Sequence, residues 1–120
     1  MTRLKITIPQ IDKKGWGQEI WITNNEKYCG KILEFKPESK CSIHYHQKQE
    51  HFYVLDGEFD LVGIDSKTAE KYRLYLKPGD VVEIPSIYPH QLITKTGGRI
   101  IEFSTRDEQG SFRVEKGDSQ

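Results

Sequence analysis

The sequence predicts an all-β fold, an antiparallel sandwich or closed barrel that forms one domain over residues 1–120. No long stretch keeps the period of an amphipathic helix. Short apolar segments instead alternate with turns rich in Gly, Pro, Asn and Asp, at a spacing of about 8 to 12 residues that is typical of strands in sandwiches and barrels. A chain of 120 residues is long enough to bury a core without disulfides or structural metals.

The strands can be placed in order from the alternation of side chains and from the residues that interrupt it. Residues 3–8 alternate and predict a half-buried strand ended by Pro9, with a turn at residues 12–15. Residues 37–40 are predicted to form a loop. The other predicted strands are 16–23, 28–36, a segment around His44, 50–56, 58–64, 72–76, 81–84, 90–94 and 100–104, with an edge strand at 112–114 inside a polar C-terminal tail over 106–120.

Two glycine-containing pairs predict tight hairpins. Asp56 and Gly57 form the strongest two-residue turn signal, because a type I′ turn needs positive φ at both central positions. Gly97 and Gly98 predict a second hairpin between strands 90–94 and 100–104.

The charge and cysteine content narrow the class of protein. Lys and Arg total 18 and Asp and Glu total 18, so the formal net charge is zero, which disfavours a nucleic-acid or membrane-surface partner. Cys29 and Cys41 are too few for a disulfide framework, and we expect reduced thiols, with a single structural disulfide as the alternative. No segment reaches bilayer length, so we expect a cytoplasmic protein without a membrane partner.

The stretch around His44 and His46 is the clearest chemical signal. Residues two apart in a strand point to the same face, so the two imidazoles lie about 7 Å apart along one side of the chain. Glu50 opens the next strand, and the segment that ends at His90 offers a fourth ligand. The pattern predicts a mononuclear metal site, although a lone His-x-His is more often a pair of ordinary strand residues.

These spacings resemble the two motifs of the cupin family, at residues 38–57 and 79–94. The first reads His44-x-His46-(x)3-Glu50-(x)6-Gly57, and the second reads Gly79-(x)5-Pro85-(x)4-His90. The chain departs from the family pattern at three places, where Glu38 and Ile87 replace Gly and Thr94 replaces a frequent Asn. The resemblance implies a jelly-roll, or double-stranded β-helix, barrel.

The resemblance also implies that His44, His46, Glu50 and His90 bind one divalent transition metal. Nitrogen and oxygen donors of this kind suit Zn, Fe, Mn, Co or Ni better than Ca or Mg. A six-coordinate ion would leave two positions open for a small-molecule ligand.

A second resemblance is to the cupin domain of mannose-6-phosphate isomerases. It rests on Gly15-Trp16-Gly17, Tyr28 with Lys31, Lys36-Pro37, the run from Ser42 to Phe52, Ile84-Pro85, His90 and Glu102. His44 stands where those enzymes tend to carry Gln, and Lys48 where they tend to carry Arg. The resemblance implies a sugar or sugar-phosphate isomerase or epimerase with an anionic sugar as its partner.

Two other functions remain open at this point. The three-His, one-Glu set also occurs in iron-dependent cupin dioxygenases, and a non-catalytic cupin would bind a small molecule without turnover. Catalytic helpers for any reaction are expected among Lys48, Tyr53, Tyr88, Gln91, Arg99 and Glu102.

Strand 50–56 predicts a homodimer. His51 has the opposite parity to Glu50 and should point away from the metal, on the same face as Tyr53 and Leu55. Since one face of the strand fills the barrel, the other apolar face is expected to pack against a second copy.

Overall fold

The computed structural model describes residues 3–107 and 111–118, and in these two ranges it contains twelve β-strands and no helix. The predicted all-β class is therefore confirmed, while positions 108–110 and 119–120 of the predicted tail lie outside the described residues. The strands are β1 Gln10–Lys14, β2 Gly17–Asn24, β3 Cys29–Phe35, β4 Ser39–Lys40, β5 Ile43–Tyr45, β6 Glu50–Gly57, β7 Phe59–Ile64, β8 Lys71–Leu76, β9 Val81–Ile84, β10 His90–Thr94, β11 Gly98–Ser104 and β12 Phe112–Glu115.

The strands form two antiparallel sheets that face each other as a jelly roll. One sheet has the order β1-β2-β3-β11-β6-β9, and the other has the order β12-β5-β10-β7-β8 with β4 added beside β10. From β5 onward, the chain passes repeatedly from one sheet to the other. Residues close in sequence therefore lie on opposite walls of the barrel, and a site between the sheets draws its side chains from both.

Both predicted hairpins are wrong, and the reason is the same in each case. β6 pairs with β11 and β9, while β7 belongs to the opposite sheet, so Gly57 marks a crossing between sheets. Likewise β10 and β11 lie in different sheets on either side of Gly97 and Gly98. The positive φ that suits a type I′ turn, +80° at Gly57, is used here for a barrel corner.

The strand predicted at residues 3–8 is also wrong. Residues 3–9 have no regular structure, and Leu4, Ile6 and Ile8 are fully or almost fully exposed. The alternation has no effect there because no core surface is within reach of the segment. The chain begins β1 at Gln10 instead, and the predicted turn at 12–15 moves to Gly15 and Trp16.

Several other predictions are confirmed. The edge strand at the C-terminal end forms as β12, paired with β5. The loop predicted at 37–40 is correct only in its first half, because Ser39 and Lys40 form β4 beside β10. Cys29 and Cys41 are both free and buried. No helix among the described residues is long and apolar enough to cross a membrane.

The core fills the space between the two sheets below the site. Trp16 stacks on Phe35 with ring centroids 4.2 Å apart, and Phe35 meets Phe59 of the opposite sheet edge to face at 5.3 Å. Val54 and Ile100 are completely buried beside them. These contacts hold the two sheets at a fixed separation, which sets the width of the cavity between them.

The corner at Gly57 provides a test of the topology. A Cβ on Gly57 would lie 2.1 Å from the backbone oxygen of Gly97, whereas a Cβ on Gly79, which also has positive φ, would meet nothing within 4 Å. We expect Gly79→Ala to cost about 1–2 kcal/mol of unfolding free energy for the left-handed backbone alone. Gly57→Ala should cost several kcal/mol, because the backbone clash adds to the same penalty.

Urea denaturation of the two variants at neutral pH measures this difference. Equal losses at the two positions would contradict the close approach of Gly57 to Gly97 at the barrel corner.

Candidate metal centre

Three histidines meet between the sheets at one end of the barrel. His44 of β5 lies directly opposite His90 of β10 in an antiparallel pair, so their side chains share a face. His46 follows immediately after β5, and its ring centroid lies 4.7 Å from that of His44 and 5.7 Å from that of His90. One ring nitrogen from each of the three lies within 4.8 Å of the others, a separation that lets a single ion contact all three.

Backbone carbonyls fix the orientation of two of these rings. Nδ1 of His44 lies 2.9 Å from the carbonyl oxygen of Ser42, and Nδ1 of His90 lies 2.8 Å from that of Tyr88. A carbonyl can only accept, so each Nδ1 carries the proton and donates it. In a neutral ring with this tautomer, Nε2 carries the lone pair that binds a metal.

The surroundings also keep His44 neutral. Burial lowers the pKa of the His44 imidazole to about 3, and the neighbouring His90 and His46 act in the same direction. The ring is therefore in its ligand form throughout the range in which the protein would work.

Glu50 lies beside the three histidines, on a strand of the opposite sheet. Its Oε1 lies 3.6 Å from Nε2 of His46, and its Oε2 lies 3.3 Å from Nε2 of His90. The residue is 1% exposed, yet neither carboxylate oxygen makes a hydrogen bond to the described residues, and the same is true of Nε2 of His90. Buried polar atoms without hydrogen bonds are rare and call for an explanation such as an ion.

The Glu50 carboxyl is held in its ionised form. Burial raises its pKa, but the contacts with His90, His46 and Lys48 outweigh burial and bring the pKa below its ordinary value. The three imidazoles lie close enough for one ion, and the Glu50 carboxylate lies beside two of them. Neutral nitrogen donors with a charged oxygen nearby suit borderline divalent transition metals.

A chain of buried charges lies behind Glu50. Nζ of Lys48 is 3.4 Å from Oε1 of Glu50, 2.8 Å from Oε2 of Glu102 and 3.0 Å from Oδ2 of Asp107. Nζ of Lys31 lies 3.0 Å from the same Asp107 oxygen and 3.6 Å from the ring centroid of Trp21. The two ammonium groups thus link the candidate ligand Glu50 to the segment that follows β11.

The protonation states of this chain follow from its geometry. Burial and the nearby Glu50 charge raise the pKa of Glu102, against the influence of Lys48. Burial disfavours the ammonium of Lys48, but Glu102, Glu50 and Asp107 together raise its pKa above the ordinary value. For Asp107, burial is outweighed by Lys48 and Lys31, which lower its pKa to about 2.

The histidines and the charge chain line one cavity of about 90 Å³. Lys48, Glu102 and Glu50 form its floor, and Trp16 and Phe52 are among the apolar side chains of its wall. Lys14 and Arg113 also line it, from β1 and β12, the outermost strands on that side of the two sheets.

The six residues expected to assist catalysis do not lie together. Lys48 and Glu102 line the cavity and contact each other. Gln91 is buried but donates to the carbonyl of Cys41 at 2.8 Å, and the Tyr88 hydroxyl is hydrogen-bonded to Tyr72 in a neighbouring apolar cavity.

Tyr53 and Arg99 lie away from the cavity. Tyr53 is partly exposed on the outer face with Leu55, and Arg99 forms an exposed ion pair with Asp56 at 2.7 Å. His51 also points outward, as its parity predicts, and lies 3.6 Å from Glu83. The homodimer expected from this apolar face stays a prediction.

Sequence reasoning did not identify Lys31, Asp107 and Arg113 as parts of the site. Lys31 and Asp107 carry no local signal, because their ion pair joins residues 76 positions apart. Arg113 did leave a signal: it alternates with Phe112 in the predicted edge strand, so one of the two had to face inward.

Comparison with known proteins identifies the family. The sequence model of the cupin domain matches residues 31–105, more than half of the chain. This chain belongs to the cupin domain family. No curated protein sequence matches the cupin significantly.

Solved structures share its fold. An oxalate decarboxylase of Bacillus subtilis with Mn(II) centres superposes with a TM-score of 0.78 at 17% identity, over 88% of this cupin and 30% of that chain. The structure of the Bacillus subtilis enzyme at pH 4.6 superposes with a TM-score of 0.75 at 20% identity, over 90% of this cupin and 30% of that chain. An RmlC-like cupin of Shewanella frigidimarina superposes with a TM-score of 0.71 at 20% identity, over 85% of this cupin and 86% of that chain. The cupin thus spans less than a third of the oxalate decarboxylase chains.

The departures from the cupin motifs have a structural reading. Glu38 and Ile87, which replace motif glycines, both have left-handed backbones, with φ of 54° and 59°. The loop shape is kept without glycine, and the Ile87 amide donates to the carbonyl of His46 at 2.7 Å. Thr94, in place of Asn, donates to the carbonyl of Glu58 and accepts from the Gly97 amide.

The charge chain predicts a strong and pH-dependent effect of Asp107→Asn. Two buried ammonium groups would lose a shared carboxylate, which should lower the unfolding free energy by about 3 kcal/mol at neutral pH. Because the pKa of Asp107 is lowered, the difference between wild type and variant is complete above the ordinary pKa of 3.8 and vanishes as the pH falls to about 2.

Asp60→Asn is the matched control, since Asp60 pairs with Arg73 at 3.0 Å on the exposed surface. Its cost in a denaturation series from pH 7 to pH 2 should stay below about 1 kcal/mol. Similar losses in the two variants would contradict the buried role of Asp107.

Proposed function

We propose that this cupin is a metal-dependent enzyme that moves a proton between neighbouring carbons of a small hydroxycarbonyl compound, in the manner of a sugar isomerase. His44, His46, Glu50 and His90 would hold one divalent transition metal. The observation that supports the proposal is that buried atoms of Glu50 and His90, which make no hydrogen bond among the described residues, face the same cavity as the Lys48–Glu102 pair.

A bound divalent ion supplies Lewis-acid stabilisation of the negative charge that develops on a carbonyl oxygen. Glu102 would accept the proton from the carbon next to that carbonyl and return it to the adjacent carbon. Its raised pKa makes it a stronger base than an exposed carboxylate. Lys48 would stay protonated and keep the Glu102 carboxylate in place through the 2.8 Å contact.

The cavity limits how much of a substrate it can enclose. A cavity of about 150 Å³ holds benzene, so the 90 Å³ here encloses roughly four non-hydrogen atoms by proportion. Two carbons and their two oxygens fit within that limit. A six-carbon sugar phosphate would insert only its reacting end, and most of the molecule would lie outside.

The ligand assignment makes a first testable prediction. The double variant His46→Ala with Glu50→Ala should lose its stoichiometric metal, because two of the four donors and the only anionic one are removed. Elemental analysis of protein purified without chelators or a histidine tag measures the content.

His51→Ala is the matched control, since this histidine is exposed on the outer face and should keep full occupancy. Full metal content in the double variant would refute the assignment.

The proton transfer makes a second prediction. In D2O, the metal-loaded protein should replace the carbon-bound hydrogens of dihydroxyacetone with deuterium. Proton NMR measures this exchange as a loss of signal. Glu102→Gln should slow the exchange by roughly 100-fold or more while metal content is unchanged, since general bases contribute about that much.

A second candidate is an iron-dependent dioxygenase, which the three-histidine set with His44 in place of Gln favours. Oxygen uptake by the iron-loaded protein with enol substrates, together with no exchange of dihydroxyacetone, would replace the isomerase proposal. A tightly held ligand with neither activity would indicate a binding protein instead.

A further inference from the structure

Arg113 lies over the candidate metal centre. It is the register partner of His44 in the antiparallel pair of β12 and β5, so the two side chains lie on the same face with Cβ atoms about 4.5–5.5 Å apart. Its neighbour Phe112 points the opposite way and stacks on Tyr45 with centroids 5.3 Å apart. The stacking fixes the parity of the strand, and Arg113 lines the mouth of the cavity as a result.

The guanidinium of Arg113 is available to a ligand. Across residues 3–107 and 111–118 it is engaged in no hydrogen bond or ion pair, whereas Arg73 and Arg99 are held by Asp60 and Asp56. The other cation at the mouth, Lys14, pairs with Asp12 at 3.2 Å.

The charge balance of the cavity favours an anion. Among the described residues, the lining cations are Lys14, Lys31, Lys48 and Arg113, and the lining carboxylates are Glu19, Glu50 and Glu102. Asp107 adds a carboxylate against the two buried lysines and Asp12 adds one against Lys14. Four positive side chains therefore face five negative ones, and a divalent metal leaves one uncompensated positive charge. In a partly enclosed site an anionic ligand offsets that excess.

We infer that Arg113 is a specificity-determining residue that binds the carboxylate of a three-carbon hydroxy-oxo acid. The inference rests on the proposed function, for which it names the substrate class. The two reacting carbons and their oxygens fill the enclosed part of the cavity. The carboxylate adds one carbon and two oxygens beyond these four atoms. It therefore extends to the mouth of the cavity, where the planar guanidinium of Arg113 can bind both carboxylate oxygens.

The reaction balances without a co-reactant. In hydroxypyruvate, the C3–H bond breaks, its proton moves to Glu102, and the electron pair forms the C2–C3 double bond of an enediolate as charge moves to the C2 oxygen. The proton then returns to C2 while the C3 hydroxyl loses its proton to the C2 oxygen, which gives 2-hydroxy-3-oxopropanoate. No atom or electron is gained or lost.

Binding of two matched probes to the Zn(II)-loaded protein tests the inference by titration calorimetry. Hydroxypyruvate carries the carboxylate, and dihydroxyacetone has a hydroxymethyl group in its place. Arg113→Gln should weaken hydroxypyruvate binding by roughly 10- to 100-fold, the range of a charge-assisted bidentate contact, and leave dihydroxyacetone binding unchanged. Arg113→Lys should recover part of the lost hydroxypyruvate affinity, because lysine restores the positive charge but not the pair of parallel N–H donors.

Arg73→Gln is the control and should alter neither probe, since Arg73 lies on the outer surface of β8. Equal weakening of both probes by Arg113→Gln, or no change in hydroxypyruvate affinity, would overturn the carboxylate assignment. Carboxylate-selective binding without exchange of the C3 hydrogens would support Arg113 and overturn the proposed proton transfer. Exchange of the C3 hydrogens without carboxylate-selective binding would support the proton transfer and overturn the role of Arg113.

Discussion

The centre of this small barrel depends on the matching of buried charges. Taking an ion out of water costs several kcal/mol after relaxation, and the interior of the protein holds Lys31, Lys48, Glu50 and Glu102 at 6% exposure or less. The cost is tolerable because each ammonium lies within 3.0 Å of a carboxylate oxygen. Lys48 has the central position, since it is the only one of the two lysines in contact with Glu50. A substitution that removes one member leaves the others uncompensated.

The same charge chain couples parts of the molecule that the sequence separates. Glu50 and Lys48 belong to the first motif, Glu102 to β11, and Asp107 to the segment beyond it. Asp107 is further secured by Asn24, which accepts from its backbone amide and donates to its carbonyl. The C-terminal segment is therefore attached to the barrel interior, and β12 is delivered to the edge of β5 from a fixed starting point.

The sequence was a good guide where a pattern has a single physical meaning. His44 and His46 share a face because strand side chains alternate, and Glu50 is buried while its neighbour His51 is exposed for the same reason. The sequence was a poor guide where one signal serves two geometries. Gly57 needs positive φ both in a hairpin and at a barrel corner, and only long-range pairing with Gly98 distinguishes them.

Burial was the other source of error. Leu4, Ile6 and Ile8 alternate as well as any strand in the protein, yet alternation predicts a strand only if an apolar surface is present to cover one face. The pairing of Lys31 with Asp107 could not be predicted, because nothing in either residue's neighbourhood indicates a partner so far along the chain. Gln91 and Tyr88, which the sequence suggested as catalytic candidates, form hydrogen bonds with other residues instead.

The place of β12 has a consequence for how such a protein diversifies. The family model matches the chain only as far as position 105, whereas Arg113 lies beyond that point on a strand that contributes no candidate metal ligand. The residues proposed to bind the metal and the residue proposed to select the substrate therefore lie in separate segments of the chain. A lineage could exchange its terminal strand for another and acquire a new substrate, while the barrel and its histidines stay as they are.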